Sequence, residues 1–501
     1  FQGGSFDGWG GTGYDNCYTM TGPPFENVYY KNNIAQGATM QSNYMGVGGT
    51  NWGWLPDPDV YTSYDYGSAI SETGEIGTPA DPNDLAGSKF GENKLINDFE
   101  TSVAPVAQTQ TGAAPTASNS AVATMARVNP SDGAEFFYLR QANATSTATV
   151  STSLDNVNLD EAAGYTYDDV DAALQYSGNW THAGPSSGYT TGDYDSTESW
   201  SQSAGASMTV SFTGTAVQWI GPKNNNGGIA DVYIDGTQVG TVDTYSPAGK
   251  LFQQVLFSDT SLSAGSHTLQ IVVSGQQNPA SSADTVVVDA INVPTAAQQG
   301  DFFAAIPQQS GTSISLDGRD ARLLTANYSF GGGEQLVYST SELTTQASIH
   351  GQAVALFDDP AGTDGETVFQ YSSQPTVSVL SGSVQTTWDS ARNQLRLNYS
   401  MGGLAEVQVT GGGAPPMLVL LADTAAAEGF WPETTSAGSA LVQGGYLVRT
   451  AAVRGGTLAL TGDTTSAGPL TVWAPAGVSQ VTWNGQPVST TSGGDGSLQG
   501  R

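Results

Sequence analysis

The residues of this 501-residue sequence best suited to chemistry are aromatic. Trp9, Trp52 and Trp54 stand in glycine-rich stretches near the start, in the same region as Tyr44 and Tyr66. A ring held in a polar loop offers an apolar face to a polar ring-shaped ligand such as a sugar, and a phenol adds a hydrogen bond. Residue type alone favours ordinary packing for each of them. A second aromatic group follows: Tyr176, Trp180, Tyr189, Tyr194, Trp200 and Trp219. Trp219 alternates with Val217 and reads as core. Trp180 and Tyr189 lie among Gly and Ser and are the better candidates for a ligand platform.

Other chemistries find little support. His182, His267 and His350 stand singly, without metal-ligand spacing. Asp168, Asp169, Asp193 and Asp195 could gather oxygens around Ca²⁺, although solvated loop carboxylates are the plainer reading. Gly331–Gly333 and Gly411–Gly413 read as turns, and no glycine-rich loop leads into Lys-Ser/Thr, so a nucleotide enzyme is not indicated. Neither a metal nor a cofactor is expected. The single cysteine, Cys17, is a buried thiol or half of a bridge.

The charge narrows the partners. Fourteen basic against 46 acidic residues give a net charge of −32. Such a chain repels phosphate backbones and anionic membranes, so nucleic acid and membrane are not expected partners, whereas a neutral sugar is not repelled. Charged residues make up 12%, against about a quarter in ordinary domains, and short polar residues replace them. That mix suits β-rich secreted proteins. Asn143, Asn179, Asn327 and Asn398 open Asn-X-Ser/Thr sequons, weak support for a secreted, extracellular glycoprotein. The apolar run Met417–Ala422 is too short to span a bilayer. The first residue is Phe1 and no signal peptide follows it, so a processed or truncated chain is expected.

These residues need elements to position them. Phe25 to Gln36 has apolar residues at helical spacing and is closed by Gly37; a second helix is expected from Gly91 to Thr101. Between them, Ala38 to Val47 reads as a buried strand running into a Gly-rich loop. Helix, strand, long loop and helix describe the end of an α/β barrel, so residues 1–104 are read as the carboxyl-terminal part of a (β/α)8 barrel. Residues 105–125 read as a polar linker or meandering edge. Ala134–Arg140 and Thr145–Leu154 read as strands. Residues 160–296 form short alternating runs, with Asp235-Gly236 as a hairpin turn, and imply a separate β-sandwich. Residues 297–430 return to strands, and 431–501, with a hairpin at Asn484-Gly485, read as a last β segment.

The opening residues carry a resemblance. Phe1-Gln2-Gly3-Gly4, Trp9-Gly10-Gly11, Gly13-Tyr14-Asp15-Asn16-Cys17, Tyr30-Lys31-Asn32-Asn33, Gly48-Gly49-Thr50-Asn51-Trp52-Gly53 and Thr62-Ser63-Tyr64-Asp65-Tyr66-Gly67 resemble the β-galactosidases of glycoside hydrolase family 35, nearest its fungal and actinobacterial branch. The resemblance continues through 127–155 and 300–501, which look like the family's second and third domains; it implies that 105–159 with 297–430 form the all-β second domain and 431–501 an incomplete third. It implies a retaining exo-β-galactosidase acting on terminal β-D-galactosyl residues of oligosaccharides or polysaccharides, without a cofactor. Such an enzyme needs two carboxyl groups about 5 Å apart, one as nucleophile and one as acid/base. In the family the nucleophilic Glu precedes Phe-Gln-Gly-Gly, so it is expected immediately before Phe1, with the acid/base Glu further upstream. No catalytic residue is therefore expected within 1–501, and Asp65 and Glu72 do not fill those roles. Tyr44 matches the family's strand-eight tyrosine and Tyr66 a tyrosine that contacts galactose. Trp9, Trp52 and Trp54 become possible substrate-loop aromatics. Cys17 matches a cysteine that bridges to an upstream partner. Residues 160–296 interrupt what looks like the family's second domain, depart from the common pattern and resemble galactose-binding-like modules, which implies an inserted β-sandwich of jelly-roll type. An alternative reading is thus a non-catalytic carbohydrate-binding protein, its working part the module with Trp180 and Tyr189. A monomer is expected.

Overall fold

The computed structural model of the chain describes residues 21–42, 46–50, 67–78, 80–130, 132–143, 145–159, 165–171, 173–214, 216–263, 265–293, 303–331, 334–390, 392–464 and 468–500. Two helices open it. Helix α1 spans Pro23–Ala35, with proline in its first turn, where a missing N–H costs nothing. Gly37 follows its end at φ +86°, a conformation glycine adopts without strain. Helix α2 spans Lys89–Ser102; its cap residue Ser88 accepts a hydrogen bond from the Gly91 N–H at 2.9 Å.

The strand expected between them is not formed over residues 38–42. No described strand pairs with this stretch, Met40 is 86% exposed, and Val47 makes only an isolated bridge to Ile70. An extended segment without a neighbouring ladder leaves its N–H and C=O groups to water and gains nothing by being regular.

The helices lie on a twelve-stranded sheet. Its main path runs Gln110–Thr111, Val122–Val128, Glu135–Gln141, Ala321–Ser329, Gln335–Ile349, Gln352–Asp359, Ala414–Asp423, Leu404–Gly411 and Pro375–Ser381. Tyr30 and Ile34 of α1 and Ile96 and Phe99 of α2 share one core with Phe136, Tyr138, Leu336, Phe357 and Val419 of the sheet. A second core, with Phe137, Leu139, Leu324 and Tyr338, covers the other side. Covered on both faces, the central strands read as continuous apolar runs rather than alternating ones. The run Met417–Ala422 is such a strand, parallel to Ala353–Asp358. The segment 105–125 contributes edge strands: Gln110–Thr111 joins the sheet beside Val128 and Arg127.

The expected strand Thr145–Leu154 is two strands. Val150–Thr152 pairs with Ile314–Leu316, and Leu154–Asn158 pairs with Phe303–Ile306. The chain changes ladders at Ser153, which alternation along one segment does not reveal.

Between Asn158 and Phe303 the chain makes an excursion. Described strands from Tyr165–Asp168 to Ala290–Val293 pair only with one another, in sheets of five, four and three strands. They close over one core that holds Met208, Phe212, Trp219, Val232, Ile271 and Ile291. Trp219 is fully buried and its indole N–H donates to the Val287 carbonyl at 3.2 Å. Gly228–Ile234 alternates buried and half-buried residues, as a strand with one face on a core must. The hairpin to Thr237–Asp243 turns on Asp235 and Gly236, both at positive φ, the geometry that fits the strand twist. After residue 430, sheets of five and four strands share a last core, with Trp431, Val442, Leu458, Leu460, Val472 and Val481. Ile76 and Leu85 join it, and the Tyr446 hydroxyl binds the Pro82 carbonyl at 2.6 Å.

Candidate functional site

Tyr44, Tyr66, Trp9, Trp52, Trp54 and Cys17 lie outside the described residues. The described structure brings together two other polar constellations.

The first joins the helices to the large sheet. Lys31 of α1 reaches Glu342 at 2.7 Å and the Ala321 carbonyl at 3.2 Å. Asn27 accepts the Ala321 N–H at 2.8 Å and donates to Glu92 of α2 at 2.9 Å. Arg322 bridges Asp320 at 2.9 Å and Asp359 at 3.0 Å. Asn27, Lys31, Glu92, Asp320, Arg322 and Glu342 line a cavity of about 120 Å³. Carboxylates outnumber cations here, and burial favours the neutral acid. Burial pushes Glu92 up to about 7 against the pull of Lys31, and Asp359 up to about 7 against Arg322. Burial, reinforced by Glu342, raises Asp358 to about 6. Lys31 and Arg322 are tied to carboxylates on the sheet and the cavity is small, so this constellation reads as a docking device rather than a reaction centre.

The second lies in the excursion 165–293. Strand Glu198–Ser201 turns Ser199 and Ser201 inward, both buried, and leaves Trp200 half-buried on the opposite face. Lys250 donates to Asp193 at 2.6 Å, Glu198 at 2.8 Å and the Tyr189 carbonyl at 2.9 Å. Its ammonium sits 4.7 Å from the Phe252 ring centre and 5.6 Å from that of Tyr189. Burial pushes Asp193 up to about 8 in spite of Lys250. Asp289 is raised too, by burial and then by the charge of Asp193. The reading of these aspartates as solvated loop carboxylates is overturned for Asp169 and Asp193, both fully buried. Ser199 donates to Asp169 and meets the His182 ring. Ser199 stands between the acid and the imidazole and is buried, whereas a nucleophilic triad needs the imidazole in the middle. No group of three or more His, Cys, Asp or Glu residues that could hold a metal occurs among the described residues.

The two aromatics singled out in this region have different surroundings. Trp180 packs on Tyr176, ring centres 5.0 Å apart, and donates to the Ser177 carbonyl at 3.2 Å. Tyr189 is 46% exposed and lines a groove of about 340 Å³, which Trp200 shares and Trp180 does not. The signal for Trp200 was in the sequence: in Glu198-Ser-Trp-Ser-Gln202 the large residues alternate with serine, which puts them on one face of a strand.

The molecule is thus a mainly β, multidomain protein with a helix pair docked on its largest sheet. Three family descriptions match it: "Glycosyl hydrolases family 35" over residues 1–80, "Beta-galactosidase, domain 2" over 265–430 and "Beta-galactosidase, domain 3" over 420–499. The three matches follow one another in chain order, the first to glycosyl hydrolase family 35 and the other two to β-galactosidase domains. A "Probable beta-galactosidase B" of Aspergillus terreus is 26% identical over 99% of this chain and 34% of its own length. A "Probable beta-galactosidase C" of Penicillium rubens is 39% identical over 32% of this chain and 16% of its own. The chain thus spans about a third or less of these curated relatives. Among solved structures, a family 35 carbohydrate binding module from an environmental isolate is similar over 26% of this chain and 98% of its own, at 21% identity and a TM-score of 0.19. That score is too low to carry a conclusion.

Proposed function

We propose that residues 1–501 are part of a secreted, monomeric, retaining β-galactosidase that removes terminal non-reducing β-D-galactosyl residues from galactosides. The observation that carries this reading is the family 35 match over residues 1–80, followed in order by the matches to β-galactosidase domains 2 and 3. In this reading residues 1–104 belong to the end of the catalytic barrel, with Tyr44 and Tyr66 on its sugar pocket, and α1 and α2 are its last helices on the second domain. Residues 160–296 are an inserted, jelly-roll-like carbohydrate-binding module. Neither catalytic carboxylate is assigned to a residue of 1–501, so these residues alone do not hydrolyse.

The test is an assay of purified 1–501 on an aryl β-galactoside beside the longer protein that includes the upstream barrel. The longer protein should release galactose with the β-anomer formed first, and 1–501 should match the blank. Turnover by 1–501 itself would put the carboxylates inside this chain. In the active protein, Tyr66→Phe should lower kcat/KM about tenfold, the worth of about one hydrogen bond to the sugar. An unchanged value would remove Tyr66 from the pocket.

A further inference from the structure

We propose that the groove floored by Trp200 and flanked by Tyr189 and Asn226 is a binding site for a neutral pyranose. The proposal rests on reading 160–296 as a carbohydrate-binding module and is independent of the catalytic reading.

Shape comes first. The groove measures about 340 Å³, at the small end of the ~300–1,000 Å³ typical of small-molecule sites, enough for one sugar unit with its neighbour trailing outward. Its floor is sheet. Trp200 lies opposite Val287 in the ladder, so the indole is set by backbone pairing rather than by a loop. Tyr189 supplies a second, exposed ring from the loop above. Two aromatic surfaces meeting at one cleft suit the apolar C–H face of a pyranose.

Polar groups then set the ligand's character. The Asn226 amide and the Trp200 indole N–H have no hydrogen-bond partner among the described residues. Gln202 spends its amide N–H on Thr285 at 2.8 Å and keeps its carbonyl as an acceptor. The groove therefore offers unspent donors and acceptors together, which is what hydroxyl groups need.

Charge excludes the alternatives. Lys250 is the cation of the groove lining, and an ammonium has three protons. All three point to protein acceptors, two of them the carboxylates of Asp193 and Glu198. Nothing cationic is left over for a phosphate, a sulfate or a uronic acid, and the chain as a whole carries −32. Lys250 holds the Tyr189 loop in place instead of greeting an anion.

The experiment is calorimetric titration of the 501-residue chain with methyl β-D-galactopyranoside, cellobiose and galacturonate. At least one neutral sugar should bind, and galacturonate at least tenfold more weakly. Tyr189→Ala and Asn226→Ala should each weaken the neutral sugar about tenfold while the thermal midpoint shifts little, since Tyr189 is exposed and Asn226 half-buried. Neutral-sugar binding that survives both changes overturns the groove while leaving the module a carbohydrate binder. Absence of binding by either neutral sugar overturns both statements. Galacturonate binding as tightly as the neutral sugars overturns the charge argument.

Discussion

The helix–sheet interface and the inserted module both take carboxylates out of water, but they spend their cations differently. At the interface, Lys31 and Arg322 are buried and reach across from helix to sheet and from strand to strand. In the module, Lys250 stands at the margin of an open groove, its side chain 16% exposed, and ties one loop to one strand. The first arrangement joins units that the sequence keeps about 300 residues apart, as in Lys31 to Glu342. The second shapes a surface. A buried cation with several acidic partners is costly to remove, because its partners cannot return to water. A cation at a surface rim can be replaced by solvent.

The largest test of this contrast is Arg322→Met. It strands Asp320 and Asp359 and should destabilise the large sheet by about 3–5 kcal/mol, read as a lowered urea midpoint. A loss below about 1 kcal/mol would mean that these carboxylates are already neutral in the fold. Acidity sharpens the point. Glu92 and Asp359 have folded values near 7, above their ordinary 4.5 and 3.8, and Asp193 near 8. The folded state therefore binds more protons than the unfolded chain across this range. The stabilisation is fully present below pH 4 and is lost as pH rises through about 7 to 8. The thermal midpoint should be higher at pH 5 than at pH 8.5, and Asp193→Asn should reduce the module's part of the fall. A midpoint that rises with pH contradicts the assignment. The smallest expected effect is that of Lys250→Met, about 1–2 kcal/mol, because burial already pushes Asp193 up to about 8, toward its neutral form. It should register as faster proteolysis of the Tyr189 loop with the large sheet's midpoint unmoved. An equal effect on both regions would erase the difference drawn here.

What the sequence disclosed was local. Asp235-Gly236 and Asn484-Gly485 announce their hairpins because positive φ at adjacent positions selects those residues, and all four adopt it. Helix α1 and the buried Trp219 followed from spacing for the same reason. What remained hidden was pairing at a distance. Glu135–Gln141 lies beside Ala321–Ser329, and no pattern within either strand names the other. Tyr189 and Trp180 looked alike among Gly and Ser, and only the strand that carries Trp200 separates the groove from the packing against Tyr176. The cation of the groove was illegible too, since Lys250 lies far along the chain from Asp193 and Glu198.

The place where the excursion begins has an evolutionary and a mechanical meaning. Asn158 faces Phe303 in an antiparallel ladder, so the module hangs from what would otherwise be the tip of a hairpin. A tip is where a chain accepts added sequence without surrendering ladder bonds. Both ends of the excursion therefore return to one rung of the same ladder, so its entry and its exit from the host domain are fixed together.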